Sequence, residues 1–173
     1  MEQSGRRSVF VVCLLLAGRI RRQNPIICST YPKGRCILNV SMPQPFIWQS
    51  RLRFGDTDAS GRVFYISLLR HFEAAESEFL RHIGCTYSDV RDSDFPRVRV
   101  ECDYISPLGY DDLMDIAVTV ERIGRSSFTL GFAASVEGRL AAHAKLTIVA
   151  MNPQTHKSRP LPDPLRSALS RPA

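Results

Sequence analysis

The chain is organised around residues 54–84, which read FGDTDASGRVFYISLLRHFEAAESEFLRHIG. The first half is a polar loop that carries two acids, Asp56 and Asp58. The second half has no internal glycine or proline, and its apolar residues recur at the spacing of an α-helix. The stretch therefore predicts a loop that leads into one long helix, with Ser67 as the N-cap and Gly84 as the stop signal.

The predicted helix is amphipathic, and its apolar face is wide enough to be covered by a sheet. Glu76 interrupts that face between Phe72 and Leu80. A carboxylate in this position indicates either a buried or interface ion pair with an arginine, or a catalytic acid. The helical pattern alone favours the ion pair.

Five segments with the alternation of β-strands accompany the helix. One precedes the loop and four follow the helix: residues 45–54, 98–105, 113–123, 127–136 and 140–151. The last three are separated by short hairpin signals, Gly124-Arg125-Ser126 and Glu137-Gly138. This order predicts an α+β fold in which one long central helix is wrapped by a curved antiparallel sheet of about five strands.

A sheet of this kind leaves an exposed edge, which pairing with a second copy of the chain would cover. We therefore expect a homodimer or a homotetramer, with the active site near the interface. Glu76 inside an apolar face fits a buried contact between subunits.

The net charge of +6 does not belong to the predicted domain. Residues 1–41 carry seven Lys or Arg and one acid, whereas the rest of the chain carries sixteen basic and sixteen acidic residues. The domain is thus neutral, and a nucleic-acid-binding face is not indicated.

Residues 1–41 contain an apolar run, 9–17, that is shorter than the roughly 20 residues needed to cross a bilayer. The basic flanks resemble a signal or organelle-targeting segment, but we favour the interpretation that translation starts at Met42 and that residues 1–41 are a misassigned or disordered extension. We expect the folded domain to occupy residues 42–151, followed by a proline-rich, irregular arm over residues 152–173.

The cysteines of the domain favour a reducing compartment. Cys85 and Cys102 form no CxxC pair, so no disulfide framework is predicted. A cytoplasmic protein without a stable membrane span is the expectation, and targeting to an organelle or membrane through residues 1–41 is the alternative.

An acid-bearing loop before a helix has a chemical use. A helix N-terminus presents free N–H groups and a partial positive charge, which can polarise a carbonyl. A nearby carboxylate can attack that carbonyl or activate water, and Gly55 and Gly61 would let a substrate approach the backbone closely. The structural alternative is that Asp56 and Asp58 only cap the turn and the helix, a role that we assign to Asp56.

Three segments together resemble a known family: GDTDASGRVFY with the long helix, PRVRVECDYISPLGYDDLMDI, and IGRSSF. They resemble the hotdog-fold acyl-CoA thioesterases of the 4-hydroxybenzoyl-CoA thioesterase family over about residues 46–151. The resemblance implies an enzyme that hydrolyses acyl-CoA or acyl-carrier-protein thioesters to free acid and thiol. It implies no metal and no cofactor.

The resemblance also implies site residues. Asp58 corresponds to the catalytic carboxylate, as nucleophile or general base, and the backbone N–H of Tyr65 corresponds to the group that polarises the thioester carbonyl. The residues expected to contact the substrate are Gly61, Arg125, Ser126 and Ser127. The chain departs from the benzoyl-specific members at Ile66-Ser67, where a Pro-Asn pair is common, and at Ser126, where a lysine can stand.

Two other functions fit the same fold. A non-catalytic hotdog module would bind acyl-CoA or a partner protein, but it has no need of a carboxylate such as Asp58 beside the thioester. A hotdog dehydratase would use a His–Asp pair, and no histidine is expected near the loop. The four histidines are scattered without metal-ligand spacing, which indicates surface or packing roles for His71, His82, His143 and His156.

Overall fold

The structure is a computed structural model that describes residues 45–171. The elements in chain order are β1 (Phe46–Arg51), α1 (Tyr65–His82), β2 (Arg97–Tyr104), β3 (Leu113–Ile123), β4 (Ser127–Val136), β5 (Arg139–Val149) and α2 (Asp163–Leu169). The five strands form one antiparallel sheet. The predicted α+β arrangement of one long helix and about five antiparallel strands is confirmed.

The strand order is β1-β3-β4-β5-β2, so the two strands that flank α1 in the sequence lie at opposite edges of the sheet. Helix α1 therefore crosses a sheet four interstrand spacings wide, about 19 Å. Its buried face packs on the middle strands, where the rings of Phe72 and Phe132 lie 5.3 Å apart. Buried side chains from α1 and the sheet share one core, which includes Leu68, Phe79, Ile116, Leu130 and Ile148.

Helix α1 begins three residues earlier than the sequence predicted. Its N-cap is Phe64, which has extended backbone angles and provides no side-chain cap. Ser67 lies inside the first turn, where its hydroxyl accepts a hydrogen bond from Arg70 Nη2 at 3.0 Å. The prediction of Ser67 as the N-cap is wrong, because the entry of the chain is set by a backbone contact of Phe64 rather than by a hydroxyl cap.

The predicted stop of α1 is confirmed. Gly84 has a φ of +75°, the left-handed conformation that suits glycine. The N–H of the next residue, Cys85, donates to the carbonyl of Leu80 at 3.1 Å and so satisfies one of the last carbonyls of the helix.

The edge strands differ from the central ones. β1 ends at Arg51, and Phe54 lies in the following turn with 80% of its surface exposed instead of facing the core. β2 has no fully buried residue, and Val98 and Val100 are 60% and 48% exposed. An edge strand with apolar side chains and unpaired backbone groups is a site for pairing with another strand.

The C-terminal segment is not the irregular arm that its prolines suggested. It forms α2, in which Leu165, Ala168 and Leu169 are buried. Proline is compatible with the first turn of a helix, because the N–H groups there have no intrahelical acceptor. Arg166 fixes α2 to the turn between β3 and β4 by donating from Nη2 to the carbonyls of Gly124 and Arg125, at 2.6 and 2.9 Å.

Glu76 is fully buried, and its partners belong to the same chain. Its Oε1 atom accepts hydrogen bonds from Arg97 Nη2, at 2.7 Å, and from the hydroxyl of Tyr87. The ion pair is thus confirmed, whereas the expected contact between subunits is replaced by one between α1 and the start of β2. Within residues 45–171, Glu76 Oε2 has no hydrogen-bond partner.

Among the described residues, no helix is both long enough and apolar enough to cross a membrane. The predictions made for residues 1–41 lie outside the described part of the chain.

Substitution of Arg97 and substitution of Glu76 should lower the free energy of unfolding by different amounts. Arg97→Met leaves a buried carboxylate without its counter-charge and should lower the free energy of unfolding by about 3 kcal/mol. Glu76→Gln should cost less, because the side chain of Arg97 is 33% exposed and can still be hydrated. Urea unfolding gives both values.

The matched control is Arg99→Met on the same strand, where Arg99 pairs with Glu101 and both side chains are exposed. This control should change stability by less than about 1 kcal/mol. Equal losses for Arg97→Met and Arg99→Met would contradict the importance of the buried pair.

Candidate active site

The loop between β1 and α1 forms a small hairpin that carries Asp58 at its tip. Its two arms meet at an isolated bridge between Thr57 and Val63. At the tip, the N–H of Asp58 donates to the carbonyl of Arg62 at 2.8 Å, and the N–H of Gly61 donates to the carbonyl of Asp58 at 3.0 Å. Gly61 has a φ of +75°, so its conformational freedom closes the turn.

Asp58 is exposed, and Ser60 stabilises its ionised form. The Oδ1 atom accepts hydrogen bonds from the hydroxyl of Ser60, at 2.5 Å, and from its backbone N–H, at 2.8 Å. These two contacts lower the pKa of Asp58 below its usual value. Within residues 45–171, Oδ2 accepts no hydrogen bond, so a carboxylate oxygen is open to solvent.

The hairpin leads directly into the N-terminus of α1, where backbone donors are free. Among the described residues, neither the N–H of Tyr65 nor that of Ile66 has a hydrogen-bond acceptor. Such uncapped groups at a helix start provide a positive potential for a developing oxyanion. The carboxylate and the free donors thus lie on one continuous stretch of backbone, as the sequence predicted.

Tyr104, at the end of β2, is a neighbour that the sequence did not single out. Its hydroxyl donates to the carbonyl of Tyr65 at 2.7 Å. Burial and the adjacent Cys102 raise the pKa of Tyr104 to about 12, so the phenol keeps the proton that it donates. With Arg62 and Val63, Tyr104 lines a cavity of about 240 Å³ beside the hairpin.

Three of the four residues expected to contact the substrate lie at the other end of the sheet, whereas Gly61 lies in the hairpin itself. The register pairs Arg51 with Leu113 at the loop end, whereas Arg125, Ser126 and Ser127 follow the far end of β3. Because β3 has 11 residues, the two ends are about 35 Å apart. One chain therefore does not bring these three residues to Asp58.

Two acids within α1, Glu73 and Glu76, are the rivals of Asp58 for the catalytic role, and neither lies at the helix N-terminus. Glu73 is eight residues into α1, about 12 Å along the axis from Tyr65, and it is exposed. Glu76 is buried against Arg97 and Tyr87. Neither carboxylate is placed beside the free donors at the helix start.

A histidine does lie near the loop, contrary to the sequence-based expectation. Nε2 of His71 is 3.3 Å from Oδ2 of Asp56, and Nδ1 is 2.7 Å from the hydroxyl of Ser50. The linear sequence gave no signal for this contact, because Ser50, Asp56 and His71 come from three different elements. Both ring nitrogens have partners, so the group does not provide the free base of a dehydratase.

Comparisons with known proteins identify relatives of this chain. The model of the Thioesterase-like superfamily matches residues 52–169, which extends the domain beyond the expected end at residue 151 and includes α2. A 1,4-dihydroxy-2-naphthoyl-CoA hydrolase of Rippkaea orientalis is 33% identical over 66% of this chain and 87% of its own. The corresponding hydrolase of Synechococcus elongatus is 30% identical over 70% of this chain and 93% of its own.

A solved structure shows the same architecture. The structure of a gentisyl-coenzyme A thioesterase superposes with a TM-score of 0.66 and 28% sequence identity, covering 72% of this chain and 100% of the other. The family match, the strand order and the helix across the sheet lead to one conclusion: this chain belongs to the Thioesterase-like superfamily and has its hotdog fold.

Proposed function

We propose that the chain hydrolyses thioesters of coenzyme A to a free acid and a thiol, with Asp58 as the catalytic carboxylate. One observation carries the proposal: an ionised, solvent-accessible carboxylate lies on the hairpin that ends in the free N–H groups of Tyr65 and Ile66. Relatives named as CoA-thioester hydrolases support the same reaction class.

The arrangement suits the chemistry of a thioester. The N–H of Tyr65 would hold the carbonyl oxygen, and one preorganised donor of this kind is typically worth about 10²–10³ in rate. Asp58 would either attack the carbonyl to give a mixed anhydride, which water then hydrolyses, or remove a proton from the attacking water. In both routes the thiolate leaves, takes up a proton, and one water molecule is consumed.

Within the superfamily, we assign the chain to the 4-hydroxybenzoyl-CoA thioesterase type, because its open carboxylate is on the loop and not on the helix. The relatives are named for dihydroxynaphthoyl-CoA and gentisyl-CoA, and both acyl groups are hydroxylated aromatic rings. We therefore propose an aromatic acyl group. A panel of these two thioesters, 4-hydroxybenzoyl-CoA, aliphatic acyl-CoAs and a carrier-protein thioester tests the assignment, and turnover of none would favour a binding module.

We further propose that the active site is completed by a second copy of the chain paired along β2. A two-fold axis beside an edge strand pairs that strand with the same strand of the partner subunit, in antiparallel orientation. The start of the partner's β2 then lies against the end of this β2, which is the end near Asp58. This pairing would bring the partner's far sheet end, with its copies of Arg125, Ser126 and Ser127, toward the hairpin and so supply the expected CoA contacts.

The catalytic carboxylate is tested by Asp58→Asn, which keeps the size of the side chain and removes its charge and basicity. We expect kcat to fall by about 10²–10⁴, with a smaller change in KM. Asp56→Asn should reduce kcat much less.

The matched control is Asp89→Asn, because Asp89 has the same kind of hydrogen-bonded turn, with Thr86, but lies after the helix. A folded but inactive Glu76→Gln enzyme beside an active Asp58→Asn enzyme would move the site to the helix.

The pH dependence should report the contact between Ser60 and Asp58. The Ser60 hydroxyl stabilises the carboxylate and lowers its pKa, so Ser60→Ala should raise that pKa. Activity that needs the carboxylate is present above its pKa and is lost as the pH falls through it. The acid limb of kcat/KM should therefore move to higher pH in Ser60→Ala, whereas a limb that stays in place or moves down would contradict the role of Asp58.

The assembly is tested at the exposed edge. Light scattering should show at least a dimer at micromolar concentration, and Val100→Glu on β2 should give a monomer with little activity, because a charge would be buried in the interface. Ile47→Glu is the matched control, since Ile47 is 57% exposed on the opposite edge strand, β1. A monomeric wild-type protein with full turnover would refute the shared site.

A further inference from the structure

The base of the catalytic hairpin is held by one residue, Asp56, through its side chain on one arm and its backbone carbonyl on the other. Its Oδ2 atom accepts a hydrogen bond from the N–H of Arg53 at 2.8 Å, at the point where the chain leaves β1. Its carbonyl accepts from the N–H of Phe64 at 2.8 Å, at the point where the chain enters α1. Asp56 therefore contacts both arms of the loop whose tip carries Asp58.

Asp56 is in turn contacted by His71, from the second turn of α1. The Nε2 atom faces Oδ2 of Asp56 at 3.3 Å, and the two side chains are only 13% and 14% exposed. On the other side of the ring, Nδ1 lies 2.7 Å from the hydroxyl of Ser50 on β1. The imidazole thus joins strand, helix and loop at one point, and partial burial makes such a polar contact stronger than it would be in water.

We propose that His71 is a positioning residue for the reaction, which acts by holding Asp56 and hence the hairpin that presents Asp58 to the helix N-terminus. The inference rests on the proposed function. A neutral ring with its proton on Nε2 meets both neighbours, because Nε2–H points to a carboxylate and Nδ1 can accept from a hydroxyl. The protonated ring would also satisfy both, as an ion pair with Asp56 and a donor to Ser50.

The surroundings favour this role over a second catalytic centre. His71 and Asp56 line a cavity of about 450 Å³ with Arg51, Arg53 and Arg70. Arg70 lies 3.7 Å from Asp56, and Arg51 pairs with Asp111 at 3.1 Å, so carboxylates already balance two of these guanidinium groups. Ser50 is only 9% exposed, and its hydroxyl already contacts Nδ1 of His71 at 2.7 Å.

Substitution of His71 by glutamine or by asparagine tests the contacts of the two ring nitrogens separately. Glutamine places its side-chain nitrogen near the position of Nε2, and asparagine places its own near that of Nδ1. If the contact with Asp56 is what matters, His71→Gln should keep most of the turnover. His71→Asn and His71→Leu should lower kcat about tenfold with KM within about twofold, because the hairpin is misplaced but the substrate contacts remain.

A second measurement does not depend on turnover. Amide hydrogen exchange at Asp58 and Phe64 reports the opening of the hairpin, because both N–H groups donate within it. Exchange should become about tenfold faster in His71→Asn and His71→Leu, the factor expected for one lost contact to a charged group, and stay near wild type in His71→Gln. His82→Gln is the control, since His82 packs on Phe46 at the other end of α1 and should change neither measurement.

The outcomes are distinct. Equal turnover and equal exchange in wild type, His71→Gln and His71→Asn would overturn the positioning role, and so would a loss in His71→Gln with none in His71→Asn. These two conservative variants decide the point even where His71→Leu fails to fold. Fast exchange in His71→Asn together with no thioesterase activity in the wild type would support the positioning role and refute the proposed function.

Discussion

The burial of one helix face against the whole width of the sheet is the constraint on which the other features depend. β1 and β2 lie at opposite edges, and α1 joins them, so the helix has to cross every strand between. The apolar contacts across this layer are the largest favourable contribution to folding that the chain can make. They also fix the point at which the N-terminus of α1 emerges, beside the end of β1, and thereby place free backbone donors next to the acid loop.

The loop itself is ordered by polar contacts and not by the core. Asp56 contacts both arms, Ser60 holds the Asp58 carboxylate, and Tyr104 reaches the first carbonyl of the helix. Each contact is modest by itself, but together they orient exposed backbone that has almost no apolar burial. A rigid helix and sheet with a small polar loop at one end is a common way to build a site, since the scaffold bears the folding energy and the loop provides the chemistry.

The sequence was sufficient to locate the five strands and α1, but not α2 or the contacts between elements. Alternation of side chains located all five strands, and the helical period located α1, because both patterns follow from burial on one face. The start of α1 was placed at Ser67 because hydroxyl caps are common, whereas the real boundary depends on a hydrogen bond between Phe64 and Asp56. Helix α2 was not predicted, because the prolines of the C-terminal segment indicated an irregular arm. The contact of His71 could not be predicted, since its partners are set by the path of the loop.

The pairing of Glu76 with Arg97 has an evolutionary consequence. A buried carboxylate without its counter-charge is costly, whereas an apolar residue in its place is tolerated and a solvent-accessible arginine can be hydrated alone. The two single substitutions are therefore not equivalent intermediates on the way to losing the ion pair. The intermediate that has lost only the glutamate is the less destabilised of the two. A lineage that abandons this ion pair is constrained to change position 76 before position 97, so a descendant with the acid but no arginine should be the rarest of the four combinations.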